Sequence, residues 1–233
     1  TLNLYLCVVP SPFRPYHPDY VPFKWRAWWD FGVGALGDMG CHIMDYPFWA
    51  LKLGAPISIE GYSSPVSQET APQASMITYN FKSGLDGTLL DLIWYDGGLK
   101  PNMPKGLENH TDLWESIGGV IFKGDEGVLV YGHHQPKPIL LVNGKDKNYK
   151  MPKKMIPRSP GHYIEWINEI KGSNERAMSN FDYAGPLNES VLLGNVAIRT
   201  GKKLIWDAEN MKVSNLPKAN QYLQEDYRKG WSL

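Results

Sequence analysis

The sequence predicts an α+β fold, with an open, mostly antiparallel β-sheet and helices packed on one of its faces. Three observations lead there. Between residues 34 and 53 the apolar positions recur at helical spacing. From residue 57 to 142 they alternate in short runs divided by tight, glycine-bearing turns, and after His162 two helical stretches return. Strands joined by tight turns pair antiparallel. The 233 residues suffice for one large domain or two small ones. With no repeat, low-complexity tract or dividing linker, the chain reads as a single α+β domain over residues 1–233.

Each element follows from local sequence. Residues 2–9 read as a strand already in progress, and Thr1 is preceded by neither methionine nor signal peptide, so a fragment of a longer chain is expected. Five prolines between Pro10 and Pro22 preclude a regular helix and predict a stiff loop carrying Arg14, Tyr16, His17 and Tyr20. The aromatic run Trp25-Arg26-Ala27-Trp28-Trp29-Asp30-Phe31 leads into the glycine turn Gly32-Val33-Gly34. A helix then runs to about Leu53, where Gly54-Ala55-Pro56 stops it. Pro47 lacks the N–H that would bond the Ile43 carbonyl, which predicts a kink.

Residues 57–62, 75–81 and 88–95 read as strands, the last two joined across Lys82-Ser83-Gly84. Residues 120–123 and 128–131 flank the hairpin turn Gly124-Asp125-Glu126-Gly127, and a short strand over 139–142 ends at Asn143-Gly144. Residues 95–109 form a long loop, a kind of segment that often carries function. Helices are expected over 162–171, stopping at Gly172, and over 186–203, stopping near Gly201. Residues 204–206 and 211–213 read as edge strands, followed by a polar and aromatic tail from Tyr222.

Composition removes several function classes. Twenty-four basic residues balance twenty-four acidic ones, so there is no electrostatic footprint for nucleic acid or an anionic membrane. No apolar run reaches transmembrane length. Two cysteines, Cys7 and Cys41, exclude a disulfide framework. Nine tryptophans and thirteen tyrosines suit a well-filled core, and aromatics at that density also line sugar-binding clefts.

The chemistry concentrates in residues 32–45. Positions three and four apart share a helix face, so Asp38, His42, Asp45 and Trp49 lie on one side and Met39, Ile43, Tyr46 and Ala50 on another. Asp38 sits near the helix N-terminus, where the dipole favours a carboxylate, and one turn from an imidazole. Three readings compete: an N-cap beside a half-buried histidine, a metal site from Asp38, His42 and Asp45, and an acid–base unit. No second ligand cluster supports the metal.

Gly34-x-x-Gly37-Asp38-x-Gly40-x-His42-x-x-Asp45 resembles the catalytic-helix motif of the glucose–fructose oxidoreductase / inositol dehydrogenase (Gfo/Idh/MocA) family, most closely its bacterial branch of sugar dehydrogenases. Similar stretches include residues 25–29, Trp94-Tyr95-Asp96-Gly97-Gly98, residues 122–127, 179–183 and 188–197, and Tyr227-Arg228-Lys229-Gly230-Trp231. The resemblance spans nearly the whole chain. It implies the second, α+β domain of a two-domain enzyme whose N-terminal Rossmann domain, absent here, holds NAD or NADP. The lysine of that family's Glu-Lys-Pro motif has no counterpart in this chain.

Carried over by that resemblance, His42 is the acid–base group for a sugar hydroxyl and Asp38 its neighbour in the site. Arg26, Tyr95, Asp96, His162 and Asp182 are candidates to bind sugar hydroxyls. The expected substrate is a carbohydrate or cyclitol, and the cofactor belongs to the full-length protein, with neither cofactor nor metal expected for this chain alone. A homo-oligomer formed through the sheet is expected as well. Two other functions stay open: a glycosidase that recycles tightly held NAD, and a non-catalytic sugar-binding or assembly domain.

One motif points elsewhere. Gly32-x-Gly34-x-x-Gly37 matches the dinucleotide fingerprint, with Glu60 placed roughly where a ribose-binding acid would stand. The residues before Gly32 lack a β-branched strand, Asp38 would set a carboxylate beside the pyrophosphate, and antiparallel strands follow. The expectation is that this turn does not bind NAD.

Overall fold

Among the residues described by the computed structural model (8, 10–107, 118–132, 137–225 and 227–231) the elements run in the following order. Helices α1 (Gly34–Ile43) and α2 (Asp45–Ala50) precede strands β1 (Ser58–Ser63), β2 (Ser75–Lys82) and β3 (Leu89–Tyr95). Strands β4 (Gly119–Lys123), β5 (Val128–Gly132), β6 (Ile139–Val142) and β7 (Lys145–Asp146) come next. Helices α3 (His162–Ile170) and α4 (Phe181–Thr200) and strands β8 (Leu204–Asp207) and β9 (Lys212–Val213) complete the chain. Two compact units result, Thr1–Pro101 with Asn188–Leu233, and Asn102–Leu187. The strand expected over residues 2–9 lies outside the described residues except for Val8.

The first unit is built on an antiparallel sheet of order β3-β2-β1-β8-β9. Strand β2 explains why one face is buried. Its alternating pattern sends Ser75, Ile77, Tyr79 and Phe81 inward, and in register these meet Trp94, Leu92 and Leu90 of β3 and Ile59 and Gly61 of β1. Helices lie on that face. A Cβ on Gly194 of α4 would strike the Tyr79 hydroxyl and come within 2.6 Å of Leu36 Cδ2 of α1, and one on Gly61 would lie 3.3 Å from Ile198 Cγ1. Phe48 of α2 meets Phe81 edge-on at 6.4 Å between centroids. The opposite face carries Tyr62, Met76, Ile93, Tyr95 and Ile205, of which Tyr62 is 58% exposed.

Four features refine or differ from the sequence reading. The kink expected at Pro47 takes the form of a one-residue interruption: α1 ends at Ile43 and α2 begins at Asp45, with Met44 between them still right-handed, because Pro47 has no N–H for the Ile43 carbonyl. Helix α2 ends at Ala50, earlier than expected. Lys52 turns left-handed (φ 49°) and the Leu53 N–H donates back to the Phe48 carbonyl at 2.9 Å. At the other end of the chain, α4 starts at Phe181 and carries Pro186 inside it. Strand β8 is interior to the sheet, between β1 and β9, so only β9 of that pair is an edge.

The second unit contains the sheet β4-β5-β6-β7, with Leu107, Val130 and Leu141 at its core and Ile121, Val128 and Ile139 packed around them. Asn143 (φ 52°) and Gly144 (φ 71°) supply the left-handed pair that a two-residue hairpin demands, and the chain returns as β7, a strand the sequence pattern did not disclose. Helix α3 places Tyr163, Trp166, Ile167 and Ile170 on one face as its spacing predicts, and all four are exposed.

The Tyr79 hydroxyl is fully buried without a hydrogen-bond partner, and burial holds the phenol far above its ordinary titration range. An unsatisfied buried hydroxyl costs about 1–3 kcal/mol. Tyr79→Phe should therefore stabilise the unit by about 1 kcal/mol, read as a higher urea midpoint at unchanged slope. Gly194→Ala should do the opposite, costing about 1–3 kcal/mol because it overpacks the same spot.

Candidate functional site

Helix α1 is fixed at its start by three close approaches. Gly34 takes φ +69°, and a Cβ there would lie 2.6 Å from Ala71 Cβ. A Cβ on Gly32 would lie 2.5 Å from the Arg26 Cα and carbonyl oxygen, and one on Gly37 would overlap the Val33 side chain. The Asn195 side-chain amide of α4, itself buried, donates to the Val33 carbonyl at 2.9 Å. Further along, Gly40 lets Val191 of α4 approach within 3.0 Å of where a Cβ would be. The buried side of α1 is thus Gly34, Leu36, Gly40 and Ile43, which leaves Asp38 and His42 on its accessible side.

Asp38 meets a cation before it meets the imidazole. Arg26 Nε stands 3.3 Å from Asp38 Oδ2, while the Asp38 carboxylate remains 43% exposed. The Arg26 guanidinium lies over the Phe23 ring, 3.8 Å from its centroid, with the Trp25 ring centroid at 5.4 Å. His42 is exposed one helical turn from Asp38. Asp45 begins α2 half-buried, and Trp49 lies beyond it, exposed. Cys41 points its thiol at the Asp38 carbonyl at 3.7 Å. Desolvation, with the Asp38 and Asp45 carboxylates adding to it, pushes that thiol above its usual range and away from nucleophilic use. Among the described residues no group of three or more His, Cys, Asp or Glu side chains could hold a metal ion.

The other sequence candidates fall in different places. Asp96 is occupied: Ser75 donates its N–H at 2.5 Å and its hydroxyl at 2.8 Å, and Trp94 Nε1–H donates at 2.8 Å. That carboxylate anchors the end of β3 to the start of β2. Tyr95 follows the buried Trp94 and points to the opposite face of the sheet from α1. His162 and Asp182 belong to the second unit, His162 with its ring 4.1 Å from that of Tyr163 and Asp182 ion-paired to Arg176 at 2.5 Å. Sequence reasoning missed Phe23, the platform beneath Arg26, and Asn195, which ties α1 to α4. Asn195 lies in a quoted stretch, yet no spacing rule links it to Val33, 162 residues away.

A second polar knot fixes the proline-rich loop beside this region. Arg14 bridges Asp30 (2.6 Å) and Glu69, and its guanidinium lies 5.2 Å from the ring centroids of both Tyr20 and Trp28. The backbone of the aromatic run is pinned as well, with the Ala71 N–H donating to the Ala27 carbonyl at 2.8 Å and the Trp29 N–H to the Glu69 carbonyl at 2.9 Å.

Residues 1–92 match the model of an oxidoreductase family's C-terminal alpha/beta domain. The matched span contains α1, α2, β1, β2 and the first part of β3. No curated protein matches the chain.

The glycine turn does not fit a dinucleotide. A 3₁₀ helix (Lys24–Ala27), and no strand, precedes Gly32 among the described residues. The space left by the missing Cβ atoms of Gly32, Gly34 and Gly37 is filled by Arg26, Ala71 and Val33, not kept open for a pyrophosphate. Glu60 sits mid-strand and accepts a hydrogen bond from the Tyr62 hydroxyl at 2.9 Å. Calorimetric titration of this chain with NAD and with NADP should show no micromolar binding. Binding abolished by Gly34→Val would mean the turn is a nucleotide site after all.

Proposed function

With residues 1–92 belonging to the C-terminal domain of the Gfo/Idh/MocA oxidoreductase family, we propose that this chain is the substrate-binding and catalytic half of an NAD(P)-dependent oxidoreductase acting on a secondary hydroxyl of a sugar or cyclitol. The observation that carries the proposal is the placement of Asp38 and His42. They stand one turn apart on the accessible side of a helix whose other side is locked into the core. Loss of hydride from a secondary alcohol carbon requires the hydroxyl proton to leave as well. An imidazole, whose ordinary titration lies near neutrality, suits that proton transfer, and such help contributes roughly 10²–10⁴-fold.

In this scheme His42 takes the hydroxyl proton, and the free edge of the Asp38 carboxylate accepts a hydrogen bond from a neighbouring hydroxyl of the same ring. The resident chemistry of NAD or NADP, held by a separate Rossmann domain, is hydride acceptance. Aromatic side chains near the site, Trp25 and Trp49, offer apolar faces of the kind sugar rings stack on.

The test uses the protein joined to its N-terminal domain and a panel of glucose, galactose, xylose, fructose and myo-inositol with NAD or NADP. Net cofactor reduction with one of them, lowered about 10²–10⁴-fold in His42→Ala with an unchanged melting curve, is the expected result. If His42→Ala unfolds the protein and its folded remainder stays active, His42 is a packing residue. Turnover of a glycoside without net reduction would point to a cofactor-recycling glycosidase.

The same family reading extends to assembly. The sheet face bearing Tyr62, Met76, Ile93, Tyr95 and Ile205 combines apolar side chains with Glu60, Thr78 and Asn80, a mixture suited to burial against a second copy. Light scattering at micromolar concentration should report a dimer or larger. Among the described residues no helix is long and apolar enough to cross a membrane.

A further inference from the structure

We infer that Arg26 is the positioning residue of Asp38, and that it acts on the substrate only through that carboxylate. The inference rests on the oxidoreductase reading for its catalytic meaning, but its geometry is independent of it.

Arg26 is held for the purpose from three directions. Its backbone lies against Gly32, where a Cβ would come within 2.5 Å of its Cα and carbonyl oxygen, so the helix entry and the arginine are fixed to one another. The residue after it is pinned by the Ala71 N–H at 2.8 Å. Its guanidinium rests on Phe23 at 3.8 Å, a cation–π contact that orients a planar group better than solvent would. The result is a cation whose Nε reaches Asp38 Oδ2 at 3.3 Å.

Two further facts assign the direction of the effect. Arg26 Nε and Nη1 are buried atoms with no hydrogen-bond acceptor of their own, so water does not satisfy these two nitrogens and Asp38 is the charge that compensates them. The partner shown for the Asp38 carboxylate is Arg26, not the His42 imidazole, so its orientation comes from Arg26. A carboxylate held by one oxygen keeps the other for a ligand hydroxyl. Without Arg26 the Asp38 side chain would be free to rotate into solvent, and the loss would fall on binding more than on proton transfer at His42.

The experiment is a double-mutant cycle on the protein joined to its N-terminal domain, with whichever sugar or cyclitol of the panel is oxidised. Arg26→Gln should raise KM about tenfold with a smaller effect on kcat, and Arg26→Lys should recover part of the loss, since lysine restores the charge but not the planar head group. In the Asp38→Asn background, Arg26→Gln should change KM less than about twofold. An equal loss in both backgrounds would show that Arg26 contacts the substrate itself and overturn the inference. If Arg26→Gln does not fold, Phe23→Leu, which removes only the platform, runs through the same cycle with the same two outcomes. If the wild type oxidises nothing in the panel, the oxidoreductase reading fails separately. The urea-unfolding cycle of Arg26→Gln and Asp38→Asn then decides, with non-additive effects expected and additive ones overturning the coupling.

Discussion

The structure of the first unit depends on how closely α1 and α4 can approach each other and the sheet. Three positions set that distance: Gly40 facing Val191, Gly194 facing Leu36 and Tyr79, and Gly61 facing Ile198. At each, a backbone without Cβ lets a neighbour fill the space, which brings fully buried Leu36, Ile59, Ile77, Tyr79 and Val191 into one core. The Asn195 amide bond to Val33 adds direction to this packing by fixing where α1 begins. Asp38 and His42 are held in place as a consequence: they occupy the accessible side of a helix whose rotation is prevented by what lies beneath it.

The strain of that arrangement is visible at Tyr79. Its ring belongs to the inner row of β2, stacked 6.0 Å from Phe81, and its hydroxyl is driven into the gap above Gly194 with nothing to bond. A phenylalanine would satisfy the packing without that cost. The same close approach that seats α1 therefore traps a polar atom, and the two are best understood as one feature.

Much of this was legible in the sequence, and the parts that were not share a cause. Strands β1 to β6 followed from alternation and turn chemistry, because period-2 burial and a hairpin glycine are local properties. The end of α3 at Gly172 and of α4 near Gly201 followed from left-handed glycines, at φ 80° and 59°. The start of α4 at Phe181 did not, since Pro186 reads as a first-turn proline and only the surrounding structure tolerates it five residues in. Among site residues, the one-turn spacing of Asp38 and His42 was readable from the helix period alone. The engagement of Asp96 by Ser75 and Trp94 was not, because it depends on β2–β3 register, and neither was the partner of Asp38, since Arg26 comes from outside the helix.

The glycine turn shows why a spacing has to be read with its surroundings. Gly32, Gly34 and Gly37 have the intervals of a dinucleotide fingerprint, and in that fingerprint the missing side chains make room for a ligand. Here they make room for Arg26, Ala71 and Val33 of the same chain. The distinction has a chemical result. A turn that opened to a pyrophosphate would present bare N–H groups to an anion; this one closes on itself and presents a carboxylate, Asp38, already compensated by Arg26. A turn of that polarity favours a neutral hydrogen-bond donor over an anion. Under the function proposed above, the chain's contribution to redox chemistry is to hold and deprotonate an alcohol, and hydride acceptance falls to a domain with the opposite kind of turn.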